Sequence, residues 1–394
     1  LSGGGWQTIV LSALDERVAV SVPVAGYAAL RSRIERPGDT GDIEQNPSDF
    51  LQGQDFQHLT AMRAPRPTLL VYNAEDDCCF RAPLVKPYIF DQVRPFFALY
   101  GKAANLAWHE NLDPGTHNYQ LDNRLQAYRF FTHHFGLPEA REEIPVDGEI
   151  KTVEELSAGL PENNLTILGL ARKLADSIQR QPQDRARLAE VVRYRAVPLQ
   201  KAWALANSKN KGVESQSYRF DFENGLSAAG VSLKSLSVEH PAPATIVLDD
   251  RGKAAAAVEV SGRVNRGERV LAADLLLTGD AAPEKPGASA YTQMLAAVGD
   301  RPLGLEAAQL IALARWLGAG PVRVETSGIR TQVVALVAAA LEPGLFREVA
   351  ARDGMTSLRH LLDAPIPYQD APDLFCLDLL HDFDLDQLAA LHKN

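Results

Sequence analysis

The sequence predicts an α/β protein in which one supersecondary plan occurs twice. Apolar runs of strand length alternate with stretches of helical spacing, as in a layered α/β fold. Glycine-rich corners separate the two kinds of segment, and one corner motif recurs near the far end of the chain.

The elements follow in order. Residues 6–14 read as a helix, 18–24 as a buried strand and 68–73 as a second strand, with a third at 105–109. Residues 121–135 place Leu121, Leu125, Tyr128, Phe131 and Phe135 at helical spacing, and Gly136 and Pro138 stop the helix. From 138 to 241 the chain is charged, Gln-rich around 180–187, and carries helical patterns without chemical motifs. It reads as a partly helical connector, although 218–222 alternates like a strand. Strand and helix alternate again afterwards: strands at 245–248, 269–277 and 322–326, helices at 305–317 and 331–341. The predicted organisation is 1–137, a connector at 138–241, and a second α/β body at 242–394.

Composition excludes several classes. The 394 residues are 46% hydrophobic and 23% charged, which rules out a mainly disordered, collagen-like or coiled-coil chain. No apolar run approaches the roughly 20 residues of a membrane helix. The net charge of −10 argues against nucleic acid as a partner. Three cysteines, two of them adjacent (Cys78 and Cys79), give no disulfide framework and no metal-ligand spacing. No cofactor and no metal are implied, and oligomeric state stays open.

The chain opens at Leu1 inside a motif, with no Met and no apolar signal segment, so it is expected to be a piece of a longer protein. Its compartment is therefore open, a secreted or periplasmic location included.

A repeat links the two bodies. Leu1-Ser2-Gly3-Gly4-Gly5-Trp6-Gln7 lines up with Thr326-Ser327-Gly328-Ile329-Arg330-Thr331-Gln332, each before an apolar helix. Pro47-Ser48-Asp49-Phe50-Leu51 parallels Pro372-Asp373-Leu374-Phe375, and Phe56-Gln57-His58-Leu59 parallels Asp386-Gln387-Leu388.

Three corners of the first body carry candidate chemistry. Ser2-Gly3-Gly4-Gly5 has the form of the second half of a G-x-S-x-G turn. A serine at a sharp strand-to-helix corner exposes its hydroxyl where helix N–H groups can stabilise an oxyanion, and only small neighbours let the chain pass. The competing account is a glycine-rich loop with Ser2 as an ordinary N-cap. The run 68–73 ends in Ala74-Glu75-Asp76-Asp77, and acids just past the carboxyl end of a parallel strand suit an orienting carboxylate. Asp76 is the first choice, then Asp77, then Glu75; a solvated acidic turn is the alternative. Asp113-Pro114-Gly115-Thr116-His117-Asn118-Tyr119 sets a histidine in a turn between a strand and a helix. His58, His109, His133 and His134 read as surface residues. The order serine, acid, histidine is what raises these three corners above coincidence.

On these motifs, residues 1–137 resemble the C-terminal half of an α/β-hydrolase catalytic domain. They are similar to the acetyl xylan esterase-like enzymes and to the prolyl oligopeptidase-like group. The resemblance implies Ser2 as nucleophile, Asp76 as orienting acid, His117 as base and the Gly3 N–H as an oxyanion donor. It also implies hydrolysis of an acyl ester, a carbohydrate ester first, with a small-molecule or oligosaccharide ester as partner. A proline-directed serine peptidase and a non-catalytic scaffold are the alternatives. The preceding strands, the first elbow glycine and one oxyanion donor would lie upstream of Leu1, so the chain alone is expected to be poorly folded or nearly inactive.

The second copy reads as degenerate. Ser327 is expected at its elbow, with Glu325 in place of the first glycine and Ile329 and Arg330 crowding the far side. Residues 245–394 are accordingly expected to be a hydrolase-like scaffold without chemistry, His360 and His392 surface residues, and Cys376 core. Cys78 and Cys79 are expected to be small, buried packing residues rather than redox or metal groups. Trp6 either lines a pocket or packs.

Overall fold

The computed structural model describes residues 1–138, 142–182, 184–238, 242–285, 287–318 and 320–393. The residue 241 that closes the expected connector lies outside these. The chain divides into two compact units, Leu1–Asn164 with Ala296–Gly299, and Leu165–Leu295 with Asp300–Asn394. Each is described on its own.

The first unit is built on parallel chain segments. Strands β1 (Thr68–Asn73) and β2 (Leu106–Asn111) pair in parallel, Thr68 opposite Leu106 through Asn73 opposite Asn111. On the other edge of β1, Ser21 bridges Thr68 and Val24 bridges Val71, both parallel. The expected strand at 18–24 is thus reduced to two bridges. Pro23 explains this, because it has no N–H to give to the ladder. What remains is Ser21 N–H to Pro67 O, Leu69 N–H to Ser21 O, Val71 N–H to Pro23 O and Ala25 N–H to Val71 O.

All six residues of β1 are buried, as its unbroken apolar run requires, whereas β2 is half-buried. The helix Gly3–Leu14 turns Ile9 and Ala13 inward, and Trp6 and Val10 pack partly buried on the same core. The helix Leu121–Phe135 closes at Gly136, whose left-handed backbone (φ 62°) ends it as the sequence predicts.

The second unit holds a seven-stranded mixed sheet. Its strands are β3 (Leu199–Asn210), β4 (Val213–Phe222), β5 (Ser227–Ser235), β6 (Ala244–Asp249), β7 (Arg269–Asp274), β8 (Val322–Ser327) and β9 (Phe346–Arg352). They lie in the order β3-β4-β5-β7-β6-β8-β9. The segment expected as a connector therefore contributes three strands, paired antiparallel to one another and, through β5, to β7. Strands β7, β6, β8 and β9 are mutually parallel. The helices Pro302–Leu317 and Ile329–Leu341 are buried on nearly every face, which explains why their residues are apolar all round rather than striped.

Candidate active site

Ser2 stands directly before the helix Gly3–Leu14 with φ 55° and ψ −128°. A non-glycine residue at positive φ is strained, and such strain persists only where the surroundings over-determine it. Here Ser2 N–H donates to Val24 O (3.1 Å), and the next chain crossing is a backbone-to-backbone contact. A Cβ on Gly5 would lie 2.4 Å from Val24 O, and one on Gly26 would lie 2.4 Å from Trp6 N. Only glycine fits at either position. Gly4, by contrast, has open space beside it. The glycine that packing demands in this run is Gly5, which the motif alone did not single out.

The acidic corner follows β1. Asp76 is buried, 3% exposed, and its two oxygens have separate tasks. Oδ1 accepts the backbone N–H groups of Cys78 (3.0 Å), Cys79 (3.1 Å) and Phe80 (3.3 Å). Oδ2 lies 2.8 Å from His117 Nδ1. Burial alone would raise the Asp76 carboxyl, but the His117 hydrogen bond and charge, with the Cys78 and Phe80 amides, outweigh it and hold the pKa below its ordinary value. Asp77 takes the other end of the same residue, accepting His117 N–H at 2.9 Å. Glu75 points away and pairs with Arg81 at 2.8 Å.

The histidine corner rests on four buried asparagines. Asn118 Nδ2 donates to Thr116 O (2.7 Å) and to Asn111 Oδ1 (3.1 Å), while Asn123 Nδ2 donates to Asn73 Oδ1 (2.9 Å). Asn111 Oδ1 also takes the Gly115 N–H at 3.0 Å. Asn73 and Asn111 end β1 and β2, so the network ties the His117 loop to the sheet itself. Asn123 Oδ1 alone is buried without a partner; the other bonds of the network hold the loop in one conformation. Asn73 reads only as the last residue of a strand and Asn123 only as a position in a helix, and Asn111 falls in no motif, so nothing in the sequence joins them to Asn118.

Other histidines are less bland than expected. His109 Nε2 sits 2.7 Å from Asp122 Oδ2, and His58 Nδ1 accepts Asp55 N–H (2.9 Å) in a capping box that starts the helix Phe56–Ala61. Trp6 packs against the core of its unit.

Of the expected residues, the structure joins His117 to Asp76 and adds Asp77. Ser2 is tied through its N–H to Val24 O, at the end of the parallel segment beside β1, with Gly3 as the first residue of its helix. The His117 hydrogen bonds run to Asp76 and Asp77, and none joins it to Ser2. Among the described residues, no group of three His, Cys, Asp or Glu is arranged to hold a metal, and no helix is long and apolar enough to cross a membrane.

No family model and no curated protein sequence matches the chain. Solved structures do match. One is a Bacteroides fragilis protein assigned as an acetyl xylan esterase, 12% identical, covering 59% of this chain and 75% of its own, with TM-score 0.49. Another is the acetyl xylan esterase of a Paenibacillus species, 14% identical, over 61% of this chain and 78% of that one, TM-score 0.36. A third is acetyl xylan esterase 1 of a Thermoanaerobacterium species, 17% identical, over 56% and 76%, TM-score 0.37.

The second unit corrects the expected elbow. Ser327 is the last residue of β8, and the residue before the helix Ile329–Leu341 is Gly328, at φ 107°. Its N–H donates to Arg352 O at the end of β9 (2.9 Å), the bond that Ser2 makes to Val24. The next corners also match, with Ala25 (φ 35°) before Gly26 and Asp353 (φ 51°) before Gly354. By backbone, the counterpart of Ser2 is Gly328, one residue later than sequence identity places it. The space a side chain would need is filled: a Cβ on Gly328 would lie 2.3 Å from Asp250 Cγ. The Asp250 carboxylate accepts Arg330 N–H (2.9 Å), Thr331 N–H (2.8 Å) and the Thr331 hydroxyl (2.8 Å).

Proposed function

We propose that the first unit belongs to a serine hydrolase that cleaves acyl esters, carbohydrate acetyl esters first among them. Ser2 Oγ is the nucleophile, and His117 Nε2 takes its proton as Oγ attacks the ester carbonyl. Asp76 holds His117 Nδ1 and stabilises the imidazolium that forms. The Gly3 N–H, at the positive end of its helix, stabilises the oxyanion. The alcohol leaves with the proton from His117. A water activated by the same imidazole then releases the acyl group.

The observation that carries this reading is the Asp76–His117 pair. A carboxylate with one oxygen held by three backbone amides and the other on a histidine ring is an orienting device. An ordinary acidic turn has no need of it. The positive φ of Ser2 adds a strained hydroxyl at the next corner.

A fluorophosphonate probe on the full-length protein tests it. Labelling at Ser2, lost in His117→Ala, is the expected result. An unlabelled protein would instead favour a non-catalytic scaffold. For the second unit, the glycine at 328 and the carboxylate beneath it support a body without nucleophilic chemistry.

A further inference from the structure

The sequence predicts Cys78 and Cys79 to be buried filler, and the structure does not agree: Cys78 is exposed and Cys79 only half-buried. Their sulfurs are 2.7 Å apart, and both residues donate their N–H to Asp76 Oδ1. Two thiols in contact, one of them open to solvent, are therefore fastened to the carboxylate that holds His117. A cation stands close by. Arg33 Nη2 and Cys79 Sγ each lie 3.6 Å from the position of a Cβ on Gly41, and Arg33 is itself buried. Burial first, then the adjoining Cys78 thiol, push the Cys79 thiol well above its ordinary range against the pull of Arg33, so the exposed Cys78 is the thiol that reacts first. No third ligand joins the pair among the described residues, which separates it from a metal site.

We propose that Cys78 and Cys79 are an oxidative modification site, a vicinal dithiol that a small-molecule disulfide closes into a disulfide ring against Asp76. The exposed Cys78 thiolate attacks the oxidant's S–S bond, forms a mixed disulfide and expels one thiolate. The Cys79 thiolate then attacks the Cys78 sulfur, forms the Cys78–Cys79 bond and expels the second. Two electrons pass from the cysteines to the oxidant, and the two thiol protons end on the two released thiols.

Ring closure must act on the site. Consecutive α-carbons across a trans peptide are about 3.8 Å apart, whereas disulfides usually span about 4.4–6.8 Å. A ring closed across a single peptide bond is therefore strained, and the strain bears on the Cys78–Cys79 peptide. That peptide carries the Cys79 N–H, one of the three donors on Asp76 Oδ1. The ring loosens Asp76 and, through it, the set of the His117 ring. This catalytic consequence rests on the proposed triad; formation of the ring does not.

The experiment treats the full-length protein with oxidised glutathione and follows two readouts. By mass spectrometry, the peptide containing Cys78 and Cys79 should lose the mass of two hydrogens and regain it with dithiothreitol. Turnover of p-nitrophenyl acetate should fall about tenfold, as expected when a donor to a buried carboxylate is lost, and return with the same reductant. Cys78→Ser should abolish both changes, and Cys79→Ser should stop the reaction at a glutathione adduct on Cys78. A stable adduct on the wild-type protein without a ring, or a ring that leaves turnover unchanged, would overturn the proposal. If the protein has no esterase activity at all, the ring is still read by mass, so failure of the hydrolase reading and failure of the dithiol site are distinct results.

Discussion

The two units contain the same corner, put to opposite ends. In each, a residue at positive φ precedes a helix, donates its N–H to the carbonyl ending the next parallel segment, and is followed there by a second positive-φ residue and a glycine. In the first unit the strained residue is Ser2, and strain that glycine would relieve is retained on a hydroxyl. In the second it is Gly328, and the Asp250 carboxylate already occupies the helix N-terminus where an oxyanion would bind. The same backbone geometry carries a serine in one unit and a glycine in the other, so the corner is a packing solution whichever residue stands on it.

The sharpest way to break this comparison is to remove each serine in turn. Ser2→Ala should lower kcat/KM for p-nitrophenyl acetate by about 10⁴–10⁶, the scale of losing a triad nucleophile. Ser327→Ala should leave it unchanged, because Ser327 ends a strand and Gly328, not Ser327, stands directly before the helix. Equal effects from the two would dissolve the distinction between the corners. Loss of activity only with Ser327 would reverse it.

Part of this was legible beforehand. The strands 68–73 and 322–326 and the helix 121–135 are continuous patterns of the right period, and the structure follows them closely. The order Ser2, Asp76, His117 was legible because each falls at a corner that turn residues mark. What the sequence hid was of three kinds. The Asn73, Asn111, Asn118 and Asn123 network depends on residues far apart in the chain meeting under one loop. Strands β3 to β5 are largely exposed or half-buried, so clean alternation announces only 218–222, the last part of β4. The Gly328 elbow was misplaced by one residue because identity aligned two serines, whereas the backbone aligns a serine with a glycine.

A smaller effect tests whether close packing sustains each corner. Gly328→Ala forces a Cβ to within 2.3 Å of Asp250 Cγ at a φ of 107°, and Gly5→Ala forces one to within 2.4 Å of Val24 O. Each should destabilise its own unit by about 2–4 kcal/mol. Gly4→Ala is the control, with nothing within 4 Å of the new methyl, and should be neutral or slightly stabilising in a helix. Urea titration with hydrogen exchange assigned to each unit measures all three. A tolerated Gly5→Ala would mean that the crossing over Gly26 is not needed to hold Ser2.

The smallest expected effect concerns acidity, where the corners again differ in sign. Asp76 has a folded pKa below its ordinary 3.8, so its contribution is present above that value and is lost as pH falls. Beside the second corner, Glu306 is 1% exposed; burial first, then the nearby Asp373 and Asp250, push its carboxyl well above 4.5 against the pull of Arg330. A raised folded pKa works the other way. The stabilisation is complete below 4.5 and is lost as pH rises through the folded value. Between pH 5 and 8 the second unit should therefore weaken while Asp76 costs the first unit nothing. Glu306→Gln keeps the shape, removes the titration, and should flatten that decline, recovering about 1–2 kcal/mol at the alkaline end, as expected when a buried carboxylate no longer has to ionise. Hydrogen-exchange protection of the helix Pro302–Leu317 at the two pH values reads this directly. An unchanged slope in Glu306→Gln would move the pH sensitivity to Asp373, the other buried acid beside Arg330, whose own carboxyl is raised by burial.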